Sequence, residues 1–105
     1  MFMNLTEAIQ FTTTVHYSWK PDAGTYKAAM INSNHCVDVL GDVDVSTIDV
    51  MSFINIQECL TAEGKSPATV NRITSALSTV LTVMLQFNCI THKPGFSILK
   101  EPRGR

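Results

Sequence analysis

Ser66 to Ile90, SPATVNRITSALSTVLTVMLQFNCI, is the stretch that decides the fold. It reads as one long amphipathic helix with a marked start. Ser66 is a strong N-cap residue, and Pro67 stands at the first helical position, where its missing N–H is not needed. Val70, Ile73, Leu77, Val80, Leu81, Met84 and Phe87 recur at spacings of three and four, which gathers them on one face. Lys65, Ala68, Arg72, Ser75, Thr79 and Gln86 make the opposite face, small hydrogen-bonding side chains with an arginine near the helix start. A helix of this kind is stable only when other elements cover its apolar side.

The preceding chain supplies three such partners. A first helix starts at Asn4, with Glu7 at capping-box spacing. Leu5, Ala8, Ile9 and Thr12 or Thr13 trace its inner face towards Val15 and Trp19. The run Phe11-Thr12-Thr13-Thr14-Val15, β-branched from Thr12 on, is a poor helix former, so a short strand is the alternative there. Pro21 and Gly24 then break the pattern. A second helix spans about Thr25 to Leu40, with Tyr26, Ala29, Met30, Ser33, Val37 and Leu40 inward and Gly41 as its stop. Asp42 and Asp44 lack the other ligands and the glycine of a calcium loop and read as a solvated turn.

Ser46 caps the third helix, with Asp49 three residues on and Val45/Val50 as a hydrophobic staple. Val50, Phe53, Ile54 and Leu60 face inward, and Met51, Ile56 and Cys59 widen the apolar arc. After the fourth helix, Lys93-Pro94-Gly95 ends regular structure. Phe96, Ile98 and Leu99 are placed to dock on the bundle, while Glu101 to Arg105 reads as an open linker. The expected fold is all-α, a four-helix bundle with short connections.

Composition bounds the function classes. The 105 residues make one domain with a single core, and 45% hydrophobic against 16% charged residues argues for a folded, soluble unit. No uninterrupted apolar run approaches the ~20 residues that span a bilayer. Met1-Phe2-Met3 is too short for a secretory signal, so a cytoplasmic location is expected. Cys36, Cys59 and Cys89 form no CxxC pair and have no histidine at zinc-finger spacing, so buried reduced thiols are expected and no metal. His35 beside Cys36 makes no catalytic couple, because adjacent helical residues point apart.

The net charge of −1 is low for a nucleic-acid module, but its distribution is uneven. Residues 1–65 carry Lys20, Lys27 and Lys65 against eight acids, or −5. Residues 66–105 carry Arg72, Lys93, Lys100, Arg103 and Arg105 against Glu101, or +4. A basic surface on an acidic body follows, with weak binding by the isolated chain.

Read in order, the motifs resemble the core-binding domain of the tyrosine recombinase (phage integrase) family. They are Trp19 after the first helix, Leu40-Gly41-Asp42 at the end of the second and Ser46-Thr47-Ile48 before the third. Gly64-Lys65-Ser66-Pro67-Ala68-Thr69-Val70-Asn71-Arg72 leads into the fourth, and Asn88-Cys89-Ile90-Thr91-His92-Lys93-Pro94 follows it. The family's glycine and asparagine in that last motif are replaced here. Residues 4 to 94 are covered in order.

The resemblance implies a SAM-like, integrase core-binding fold over residues 1–94 and a linker over 95–105 towards an absent catalytic domain. It implies a clamp on duplex DNA at a recombination core site, with other recombinase protomers as further partners and no cofactor. The second and fourth helices would lie against the major groove. Candidate DNA contacts are Lys65, Ser66, Thr69, Asn71, Arg72 and Ser75, with Lys27 and Asn34 on the second helix. The first turn of the fourth helix would offer its N–H groups and positive dipole end to a phosphate. Asn71 lies at the flank of the wheel, positioned for a base edge or phosphate. Each has an ordinary reading too: Ser66 serves as a cap, and exposed Arg or Lys is commonly only solvated. The tyrosine nucleophile and paired arginines of the family have no counterpart, and Tyr17 and Tyr26 stand in the wrong region. The alternative function is a helical protein–protein adaptor, docking through an acidic face or through Phe2, Phe96 and Ile98.

Overall fold

A computed structural model describes residues 3–101, with Ser18 described by its backbone only. Phe2, Arg103, Arg105 and the rest of the expected open linker beyond Glu101 lie outside the described residues. Four helices form: α1 (Leu5–Val15), α2 (Tyr26–Leu40), α3 (Val50–Ala62) and α4 (Pro67–Gln86). Short 3-10 turns at Tyr17–Trp19 and Val45–Thr47 connect them. Among the described residues there is no strand, only an isolated antiparallel bridge between Asn4 and Asp44. The fold is all-α.

The threonine run is helical. Thr12, Thr13 and Thr14 donate their hydroxyls to the carbonyls of Ala8, Gln10 and Phe11 at 2.8, 2.6 and 2.7 Å. This local bonding satisfies threonines whose propensity alone favours strand. At the start of α1 the Asn4 N–H donates to Glu7 Oε1 at 2.9 Å, as the spacing predicts. The Thr6 N–H donates to Asp42 Oδ1 at 2.8 Å, tying α1 to the turn after α2. Gly41 closes α2 with φ +81, a conformation that a Cβ would strain.

The start of α3 lies three residues beyond its expected cap. Asp49, not Ser46, is the N-cap: its Oδ1 accepts from the Ser52 N–H at 3.1 Å, and the Ser52 hydroxyl accepts from the Asp49 N–H at 3.2 Å. Ser46 belongs to a separate turn capped by Asp44, which accepts from both its N–H and its hydroxyl. The staple positions shift with the cap. They fall to Ile48 and Phe53, both buried, while Val50 and Met51 face outward.

The opening of α4 follows expectation. Ser66 Oγ accepts from the Thr69 N–H at 3.3 Å, with Pro67 at the first helical position. Its end does not, for the helix stops at Gln86 rather than Ile90. Asn88 takes φ +61, Asn88 N–H donates to Leu85 O at 3.1 Å, and Cys89 N–H donates to Met84 O at 2.8 Å. These paired bonds make a Schellman stop with asparagine in the place glycine usually holds. Phe87 is therefore half exposed and meets Phe11 edge-on at 5.0 Å.

Val70, Ile73, Leu77, Val80, Leu81 and Met84 fill the core from α4, which packs on all three other helices. Leu5 and Ile9 of α1, Cys36 of α2 and Phe53, Ile56 and Leu60 of α3 complete it. By length and composition α4 would suffice to cross a membrane, but 56% of its apolar window is buried in the bundle. A core helix passes the same test. Of the three cysteines only Cys36 is buried, while Cys59 lies outward on α3 and Cys89 is half-buried. All three are free thiols.

The C-terminal segment docks on the bundle as far as Glu101. Phe96 stacks on Phe53 with centroids 4.2 Å apart and planes at 7°. Gln57 Nε2 donates to Ser97 O at 2.7 Å. Beyond this point the chain reaches α4.

Candidate nucleic-acid interface

The fourth helix presents Ala68, Arg72, Ser75 and Thr79 as one stripe, at successive spacings of four, three and four. On α2, with its cap residue, Thr25, Ala28 and Asn32 make a matching stripe. These two stripes wall a groove of about 500 Å³, with Trp19, Ile98 and Glu101 also lining it. Short side chains on both walls keep it open. Arg72 is exposed within it, and the buried Trp19 anchors the turn before α2. The lining residues that carry charge are Arg72 and Glu101.

The expected contact residues divide into three sets. Arg72 and Ser75 stand together in the groove, as the α4 pattern implied. Ser66 and Thr69 are joined to each other, the Ser66 hydroxyl donating to Thr69 Oγ1 at 3.1 Å, with half-buried Lys65 just before them. Pro67 has no N–H and the Thr69 N–H is already capped, so this turn offers a phosphate less than its sequence suggested. Lys27 and Asn34 are exposed, yet at roughly 100° per residue they lie on the side of α2 opposite Thr25, Ala28 and Asn32. They do not share the groove.

Asn71 has a different role from the expected base or phosphate contact. It is only 6% exposed and its amide binds the C-terminal segment. Its Nδ2 donates to Leu99 O and to Glu101 Oε2, each at 2.8 Å, and its Oδ1 accepts from the Leu99 N–H at 2.8 Å. An amide carries one acceptor and two donors, so this set fills most of its capacity. The residue acts within the fold.

Sequence reasoning missed Thr25, Ala28 and Asn32 as groove residues. Their three- and four-residue spacing was present, but it passes for an ordinary solvated face until α4 is placed opposite. Elsewhere, a second shallow groove of about 490 Å³ is lined by Ile54, Gln57, Glu58, Thr61, Ala62 and Leu99. Among the described residues no three His, Cys, Asp or Glu side chains gather as metal ligands. Burial pushes the Cys36 thiol up to about 12, partly offset by its backbone hydrogen bonding, so it stays protonated and unreactive near neutral pH. Compared with known proteins, the chain matches no family model, no curated protein and no solved structure.

Proposed function

We propose that this chain is a DNA-binding module of a site-specific recombinase, holding duplex DNA while a separate catalytic domain carries out strand exchange. The observation that carries the reading is Arg72, exposed in a groove whose walls are Ala28, Asn32, Ala68, Ser75 and Thr79. Such walls let a sugar–phosphate ridge approach both helices, and the guanidinium then meets a phosphate with several donors at once. The ordered motifs between residues 4 and 94 support the same reading, since the helices that resemble the family's DNA-facing pair are the two that form the groove. Asn88 supports it as well: the family has glycine there, and Asn88 takes the left-handed conformation that glycine favours. Contacts are to backbone phosphates more than bases, and binding by the chain alone is weak because its net charge is −1. The partners are core-site DNA, a catalytic domain of the same polypeptide and other protomers, in the cytoplasm of a bacterial or phage-infected cell. No catalytic step falls to this module.

The adaptor reading draws on a different surface. Val50 is 45% exposed and Met51 54%, on the helix that also lines the shallow α3 groove. Phe96, by contrast, is engaged with Phe53.

Fluorescence anisotropy with a labelled duplex separates the two. Arg72→Ala is expected to weaken duplex binding about tenfold, a loss in the range of charge-assisted hydrogen bonds. Val50→Ser with Met51→Ser is expected to leave it unchanged. Binding that is indifferent to Arg72→Ala would sink the duplex reading.

A further inference from the structure

One edge of the groove that carries the proposed function is formed by the chain's own C-terminal segment. Residues 96–101 form a strap fixed at two places. One is apolar, the Phe96 ring stacked on Phe53 of α3, with the Gln57–Ser97 hydrogen bond beside it. The other is polar, the Asn71 amide gripping both backbone groups of Leu99 and the Glu101 carboxylate. Asn71 is itself among the groove's lining residues, so the polar grip lies at the groove's edge. Ile98 and Glu101 of the strap are among the groove's lining residues.

We propose that this strap is an autoinhibitory gate, and that Asn71 is the positioning residue that holds it shut. The inference rests on the duplex reading above. With the strap down, Glu101 offsets Arg72 and the groove is electrically neutral, while its carboxylate repels an incoming phosphate. With the strap lifted, the groove keeps Arg72 and is cationic. Duplex therefore favours the open strap, and apparent affinity scales with the fraction of molecules that are open. The polar grip suits a gate because water takes over its hydrogen bonds when the strap lifts, so the net cost is only a part of their gross strength. The Phe96–Phe53 stack keeps the strap tethered when the grip opens.

A gate and a direct contact give opposite signs for one substitution. If Asn71 touched DNA, Asn71→Ala would weaken binding. As the pin of a gate, its loss tightens binding, about three- to tenfold for a strap that is mostly closed. Glu101→Gln removes the charge from an exposed position and is expected to tighten binding in the same direction. The experiment measures duplex affinity of the full chain and of both variants by anisotropy, with helical circular dichroism as the folding control. Amide hydrogen exchange at Leu99 in the wild type, free and at saturating duplex, reads the strap without any substitution. The gate requires tighter binding by Glu101→Gln, and by Asn71→Ala where that variant folds, and Leu99 protection that is lost when duplex binds. Unchanged or weaker binding by either folded variant, or a Leu99 amide still protected at saturation, overturns the gate and leaves the duplex reading standing. If neither wild type nor variants bind duplex, both readings fall together.

Discussion

Cys36 is the buried thiol that the sequence suggested, whereas Asn71 takes a setting that the sequence did not show. The Cys36 thiol is buried between α2 and α4, with Sγ 3.5 Å from Ile73 O and 3.7 Å from Asn32 O. Desolvation raises its pKa from 9.0 to about 12. The folded state therefore holds this proton more tightly than the unfolded chain does. Its contribution is fully present below pH 9.0 and is lost as pH rises from 9.0 towards about 12. Against a Cys36→Ala reference, stability is expected to fall more steeply in that window, by at most about 1.4 kcal/mol per pH unit. Denaturant titrations at several alkaline pH values check this. Under native conditions at neutral pH a thiol reagent should label Cys59 first and Cys36 only on unfolding. The cysteines looked alike in sequence because their helical phase depends on element boundaries. Asn71 was less legible still: its partner Leu99 lies 28 residues away, and a wheel shows only neighbours on the same helix.

At the scale of elements, the number of helices and the opening of α4 were readable because caps and apolar periodicity agree there. The opening of α3 was not, because Asp44, Ser46 and Asp49 are three capping residues in series and sequence does not rank them. Asp44 and Asp49 cap successive elements, while Ser46 only supports the first turn. Asp49→Ala is accordingly expected to cost about 1 kcal/mol of stability. Ser46→Ala should cost less than about 0.5 kcal/mol. Equal losses from the two in urea unfolding would restore the earlier cap. The end of α4 was misread for a related reason. Apolar periodicity continues to Ile90, but the left-handed turn at Asn88 stops the helix, and asparagine signals such a turn less clearly than glycine.

Across the whole molecule, the all-α class and the polarity of charge follow from sequence, whereas the groove does not. It is a relation between two helices separated by the whole of α3, and each stripe taken alone is an ordinary polar face. The same packing moved the α2 contribution from Lys27 and Asn34 to Thr25, Ala28 and Asn32. Docking of Phe96 and Leu99 was legible from their apolar side chains, whereas Ile98 stays 64% exposed and Glu101, expected in the open linker, is held by Asn71. On the duplex reading, a single exposed arginine in the groove would give few phosphate contacts. If about three phosphates are neutralised across the surface, log affinity should fall with log salt at a slope of about −3. The most direct test is an amide-shift titration of the isotope-labelled chain with a short duplex at about 50 mM and then about 200 mM salt. The duplex reading predicts salt-sensitive shifts confined to Ala68–Thr79 of α4, to Thr25, Ala28 and Asn32, and to the strap from Ile98 to Glu101. A flat spectrum at millimolar duplex, or salt-insensitive shifts centred on Val50 and Met51, would contradict it.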